Sequence, residues 1–169
     1  MRLARQLYLL ASIVPTMLVS CGRVMPDTGR ATVPDDLALS LDAIEPFIPV
    51  HSVPHFRLTL TNVSDHACRI LDAERRVDLQ HTYYNLVVVK DGEPVDIPRA
   101  ISDPGPVSDA DWLEIPPSGT KAFILTNFPE QFESLTPGVY QAYVDFWRDP
   151  NQSHSTAYLS PVAQFTVTK

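Results

Sequence analysis

Proline stands at 16 of the 169 positions, about twice what average usage would give. Its ring fixes φ and removes the backbone N–H, which excludes it from helix interiors and central strands. Long helices therefore have little room in this chain. What remains is a set of short extended segments joined by turns. With 44% hydrophobic residues over this length, the chain can bury one real core but not two comfortable ones.

The apolar pattern agrees. Side chains of period two mark strands. Leu37, Leu39 and Leu41 alternate with Ala38, Ser40 and Asp42, and Phe56, Leu58 and Leu60 alternate with Arg57, Thr59 and Thr61. Asn62-Val63-Ser64-Asp65 reads as a turn, followed by a short strand over 67–72. Tyr83 to Val89 predicts a stronger strand. Asp91-Gly92 is the best short hairpin signal, with Val95 and Ile97 on the return strand. Ser102 to Asp111, around Pro104-Gly105-Pro106, is a loop. Trp112–Ile115, a continuous apolar run over 121–126, a long strand over 139–147 and a last segment over 158–168 complete the set. No segment has a convincing helical period, although 72–79 has room for one turn of helix. The expectation is all-β: an antiparallel sandwich of about seven or eight strands.

The first residues have a different character. Arg2 and Arg5 precede a short apolar stretch from Leu7 to Val14, which Pro15 and Thr16 interrupt and Met17 and Leu18 resume. It is shorter than the about 20 apolar residues a bilayer span requires, so it reads as an export signal. Leu18-Val19-Ser20-Cys21 resembles the lipobox of bacterial lipoproteins. The resemblance implies diacylglycerol on the Cys21 thiol, cleavage just before it, and acylation of the new amine. The expected domains are therefore a signal peptide over 1–20, an acylated Cys21 with a flexible tether over 21–34, and one β domain over 35–169. Gly22, where an Asp would resemble an inner-membrane retention signal, leans toward the outer membrane. Two or three acyl chains anchor firmly where one is marginal. The alternative is an ordinary secretory signal that contains a cysteine. The implied location is the cell membrane or outer membrane, on its periplasmic or surface side.

Leu135-Thr136-Pro137-Gly138-Val139-Tyr140 sets a Pro-Gly turn before a Tyr that opens a long strand. It resembles the tyrosine corner of immunoglobulin-like (Ig-like) sandwiches, in which the hydroxyl bonds backbone a few residues upstream. Tyr140, Ala142, Val144 and Phe146 then share one face. The antibody disulfide is absent, since position 142 is Ala. The Asn62-Val-Ser pattern, the Pro-Gly-x-Tyr and the terminal Phe-Thr-Val are also weakly similar to small Ig-like proteinase inhibitors of bacteria, at the level of the fold alone.

Chemistry-bearing residues are sparse. With Cys21 committed to lipid, Cys68 has no partner for an intramolecular disulfide; it reads as a buried small hydrophobe or a free thiol. His51 and His55 have the spacing of a helical zinc pair, but Pro54 argues against a helix, and no Cys or acidic cluster sits beside them. No metal is expected there. Asp103, Asp109 and Asp111 lack the central Gly and final Glu of a calcium loop and read as solvated carboxylates. There is no Gly-x-Ser-x-Gly elbow, no phosphate-cradling loop and no placed acid–base pair. An enzyme is not expected, nor a cofactor. Without Arg2 and Arg5 the chain keeps eleven basic against twenty acidic residues, a balance that does not favour nucleic acid and is repelled by anionic headgroups. Contact with the membrane then comes through the anchor.

One hint of recognition is aromatic. If Tyr140 faces inward, Tyr143 and Trp147 face outward, and large aromatics are enriched at recognition surfaces. The alternative is that a neighbouring strand or the 102–118 segment, with Trp112, covers them. The candidate binding residues are thus Tyr143, Trp147 and Trp112. The expected function is a lipid-anchored, non-enzymatic module that binds an envelope protein or glycan, or scaffolds an assembly. Its rival is a proteinase inhibitor acting through the 102–111 loop.

Overall fold

A computed structural model describes residues 36–97, 105–125, 132–147 and 158–169. Cys21, the signal segment, the tether and Asp103 lie outside them. The described elements run β1 (Leu37–Ala43), β2 (Phe47–Pro49), β3 (Phe56–Asn62), β4 (Cys68–Leu71), α1 (Val77–Tyr83), β5 (Tyr84–Lys90), β6 (Glu93–Pro94), β7 (Trp112–Ile115), β8 (Thr120–Leu125), β9 (Gly138–Phe146), β10 (Tyr158–Leu159) and β11 (Ala163–Thr168). A single 3₁₀ turn over Asp109–Asp111 precedes β7.

Two sheets form the sandwich. The smaller has the order β1-β3-β8; the larger runs β2-β11-β9-β5-β6, with β10 beside β9. The pairings are antiparallel except for β2 and β11, which run parallel with Phe47 opposite Thr166. The first extended stretch thus changes sheets: β1 pairs with β3, and after Pro46 the chain crosses to β11. The inner faces meet in one core. Phe56 of β3 meets Phe165 of β11 edge-on at 5.5 Å, and Tyr84 of β5 meets Phe123 of β8 at the same distance. A separate ribbon, β4 with β7, places Cys68 opposite Ile115 and Leu71 opposite Trp112. The buried Tyr84 hydroxyl donates to Leu71 O at 2.6 Å and ties this ribbon to β5. Burial holds that phenol protonated, its pKa raised well above the ordinary value.

This is the expected all-β, Ig-like sandwich, and the tyrosine corner is present. Tyr140 Oη donates to Thr136 O at 2.8 Å and accepts from Thr136 N at 3.1 Å. Lys90 closes over it, its Nζ 4.9 Å from the ring centroid and 2.7 Å from Thr136 Oγ1. Gly138, at φ +152°, makes the entry; a Cβ there would lie 3.1 Å from Lys90 Cε. Asp91 and Gly92 both have positive φ, as a type I′ hairpin turn requires.

Several local expectations need correction. A helix does form, and it is α1 over Val77–Tyr83 rather than a turn within 72–79, so Tyr83 ends the helix and the strand begins at Tyr84. Seven residues barely make two turns, too few to leave a periodic signature. The strand after Asp91-Gly92 is Glu93–Pro94; Val95 adds one more bond, its N–H to Val88 O, and Ile97 packs on the core without pairing. The strand expected over 121–126 is present as β8, with Phe123 and Leu125 facing the core and Ala122 and Ile124 facing out. The last segment is two strands. Pro161 interrupts it, and Ser160 bridges the gap: its N–H donates to Val144 O and its Oγ accepts from Val144 N at 2.8 Å. Among the described residues the strands number eleven rather than seven or eight, because such interruptions leave pieces of two or three residues. Among the described residues, no helix is long and apolar enough to cross a membrane.

Candidate recognition face and a buried thiol cluster

Strand β9 alternates as expected. Tyr140, Ala142, Val144 and Phe146 are buried, and Val139, Gln141, Tyr143 and Asp145 occupy the opposite face. Paired residues in a sheet share a face, so the register assembles the outer surface of the larger sheet. Phe47, Thr166 and Val139 make one row across three strands. Gln164, Gln141 and Val89 make the next, and Tyr143 lies beside Val87, Asp145 beside Asn85. Trp147 follows directly after β9, its N–H bonded to Tyr83 O at 2.8 Å. Phe47 is 69% exposed and Val139 54%; Tyr143, Val87, Val89 and Trp147 are half-buried. Phe47 was not singled out in the sequence, because its place in one row with Val139, across Thr166, depends on the parallel β2–β11 register.

Trp112 does not join this row. It lies on β7 in the separate ribbon, and the Arg69 guanidinium sits over its ring at 5.0 Å. Arginines from the 69–76 stretch also hold the described part of the 102–111 loop. Arg69 pairs with Asp109 at 2.9 Å, and Arg75 donates to Ala110 O. Asp111, expected in solvent, is buried. Its Oδ2 accepts from the Ser108 N–H and hydroxyl, each at 2.8 Å, and faces Arg76 at 3.4 Å. The Ser108 hydrogen bonds and then the Arg76 charge hold its pKa below the ordinary carboxylate value. Arg76 also pairs with Asp78, lowering that carboxyl's pKa, and its own is raised in return. Asp109 and Asp111 are thus spent on arginine, not grouped for a cation.

The histidines at 51 and 55 are not on a helix. His51 has φ +63°, and His55 Nδ1 lies 3.2 Å from Glu45. The histidine that does meet other donors is His66. Asp36, His66 and Cys68 each present a ligand atom, all within 4.8 Å of one another. Cys68 Sγ lies 3.4 Å from Asp36 Oδ2 and 3.6 Å from Ser64 Oγ. Asn62, wholly buried, shapes this turn. Its Oδ1 accepts from the Ser64 N–H at 2.9 Å and hydroxyl at 2.7 Å, and its Nδ2 donates to His66 O at 2.7 Å and Ile115 O at 2.9 Å. The Val63 N–H bonds Asp36 O at 2.9 Å and fixes the start of β1 to the same turn. A catalytic thiol needs an imidazole between sulfur and carboxylate and a path for an electrophile. Here the carboxylate touches the sulfur directly, and Cys68 is fully buried. The signal that would have found the cluster is His-x-Cys just after an Asn-x-Ser turn; Asp36 lies some thirty residues upstream and gives none.

No family model matches the chain, and no curated protein matches it. Among solved structures it is similar to a β-glucosidase from Listeria innocua in complex with glucose, at 13% identity and a TM-score of 0.45, over 79% of this chain. The match corresponds to 16% of that enzyme's length. It is also similar to the CARDB domain of a Pyrococcus furiosus protein, at 11% identity and a TM-score of 0.34, covering 79% of this chain and 93% of that domain.

Proposed function

We propose that this chain is a membrane-anchored lipoprotein of the bacterial cell envelope, and that its Ig-like domain binds a protein partner through the outer face of the larger sheet. The lipobox ending at Cys21 supports the anchor. Exposed Phe47 and Val139, in one row across Thr166, with half-buried Tyr143 and Trp147 farther along the chain, support the binding role, since aromatic and aliphatic side chains together characterise interface cores. A protein partner suits this surface better than a glycan. Val87, Val89 and Val139 offer apolar area without hydrogen-bonding groups, and the sheet presents a face rather than a cleft.

The deciding experiment recovers envelope partners with the anchored protein. The triple variant Phe47→Ser/Tyr143→Ala/Trp147→Ala should lose them, while Thr59→Ala/Thr61→Ala on the opposite face should retain them, both variants being checked for native thermal unfolding. Equal recovery by both would refute the binding face. Recovery of glycan alone would change the partner class. Inhibition of a protease by the soluble domain, lost on substitutions within 105–111, would put the inhibitor reading in its place. Labelling with a fatty-acid probe should disappear in Cys21→Ala.

A further inference from the structure

We propose that Asp36, His66 and Cys68 form a binding site for a borderline-soft divalent metal ion, zinc above all, that clips the start of β1 to the turn between β3 and β4. The donor set comes first. A thiolate, an imidazole and a carboxylate are together a transition-metal set; magnesium and calcium take oxygen ligands. The spacing agrees. Zinc bonds of about 2.3 Å to sulfur and about 2.0–2.2 Å to oxygen or nitrogen place tetrahedral ligands roughly 3.2–3.6 Å apart. Cys68 Sγ and Asp36 Oδ2 are 3.4 Å apart, as two ligands of one ion would be. All three donors fall within 4.8 Å, and the exposed imidazole of His66 is the ligand with room to adjust.

The surroundings are built to hold these groups. The buried Asn62 amide makes four hydrogen bonds, three of them to Ser64 and His66 within the turn that carries two of the ligands. The Val63–Asp36 backbone bond carries the third ligand to them. Ser64 Oγ lies 3.6 Å from the sulfur, held by its own hydrogen bond to Asn62 Oδ1. His66 Nδ1 lies 3.2 Å from Asp65 Oδ1, the kind of carboxylate contact that orients a ligating imidazole. On binding, the Cys68 S–H bond breaks, its proton leaves to solvent, and a sulfur–metal bond forms. Three protein ligands leave the fourth tetrahedral position to water.

Cobalt(II) reports this chemistry by colour. The probe is cobalt chloride added to the full chain carrying Cys21→Ala, in which Cys68 is the only thiol, followed by displacement with zinc. The expected result is one equivalent bound with a sulfur-to-cobalt charge-transfer band, and a thermal midpoint that rises with zinc concentration. His66→Ala and Asp36→Asn should each weaken binding at least about tenfold, the lower end of what perturbing a metal site costs, and Cys68→Ser should abolish the band. Because the His66 side chain is exposed, His66→Ala is expected to fold and keeps the test valid if the Cys68 variant does not. A band that persists unchanged in His66→Ala and Asp36→Asn would mean an adventitious thiol contact only, and would overturn the proposal. So would an absence of stoichiometric binding.

Discussion

Two regions of this molecule pin a connection to the sandwich, and they do it with opposite chemistry. At the entry to β9, the tyrosine corner uses a neutral hydroxyl that donates to and accepts from the backbone of a single residue, Thr136. At the entry to β7, the chain is held by charge: Arg69, Arg75 and Arg76 reach Asp109, Ala110 and Asp111. The corner is local, closing within five residues. The arginine clamp spans 35–40 residues of sequence between partners. A neutral bond between partly buried groups is indifferent to salt and to pH near neutrality, whereas the clamp answers to salt through its exposed Arg69–Asp109 pair and to acid through the buried Asp111 carboxylate. Two devices thus hold connections of one fold, and their failure conditions differ.

The largest effect should follow from breaking the corner. Tyr140→Phe leaves the Thr136 N–H and C=O short of a partner and should cost about 1–3 kcal/mol in denaturant unfolding, the same at low and high salt. Gly138→Ala should come next, since at φ +152° a side chain is strained; a loss of roughly 1 kcal/mol or more is expected. Near the clamp, His81 on α1 supplies a pH response. Burial lowers its pKa, so the folded state resists a proton that the unfolded chain accepts near pH 6.5. Stability should be flat above that pH and should fall as pH drops below it, and His81→Gln should flatten the fall. The smallest effect belongs to Asp111→Asn. The depressed Asp111 pKa contributes stability that is present above the ordinary carboxylate value, near pH 4, and lost as pH falls through the lower folded value. The wild type should therefore lose stability more steeply in acid than the variant. An acid limb identical in the two would break the contrast between the regions.

The same contrast decides what could be read from the chain. The corner was legible because Pro137, Gly138 and Tyr140 lie within four positions and each has a conformational meaning of its own. The Asp91-Gly92 hairpin and the inward set on β9 were legible for the same reason. The arginine clamp was not, since nothing near Asp111 announces Arg76. The burial of Asp111, the alignment of Phe47 with Val139 across Thr166, and the meeting of Asp36 with Cys68 all depend on contacts between distant segments. Helix α1 was missed for a different reason: it is too short for periodicity to rise above the surrounding β pattern. Of the candidate recognition residues, the outward place of Tyr143 followed from alternation alone, while the place of Trp112 apart from it was not legible, because the separate β4–β7 ribbon has no signature distinguishing it from the main sheets.

The larger sheet ends at both rims in proline-bounded fragments, Phe47–Pro49 between Pro46 and its own Pro49, and Glu93–Pro94. Neither offers the run of open backbone donors and acceptors that a visiting polypeptide needs to extend a sheet. These two rim fragments are therefore poor templates for lateral strand addition, which disfavours pairing between copies of the domain through them. Any molecule that docks there must read side chains on the broad surface, and its specificity will be written in shape and not in main-chain hydrogen bonding.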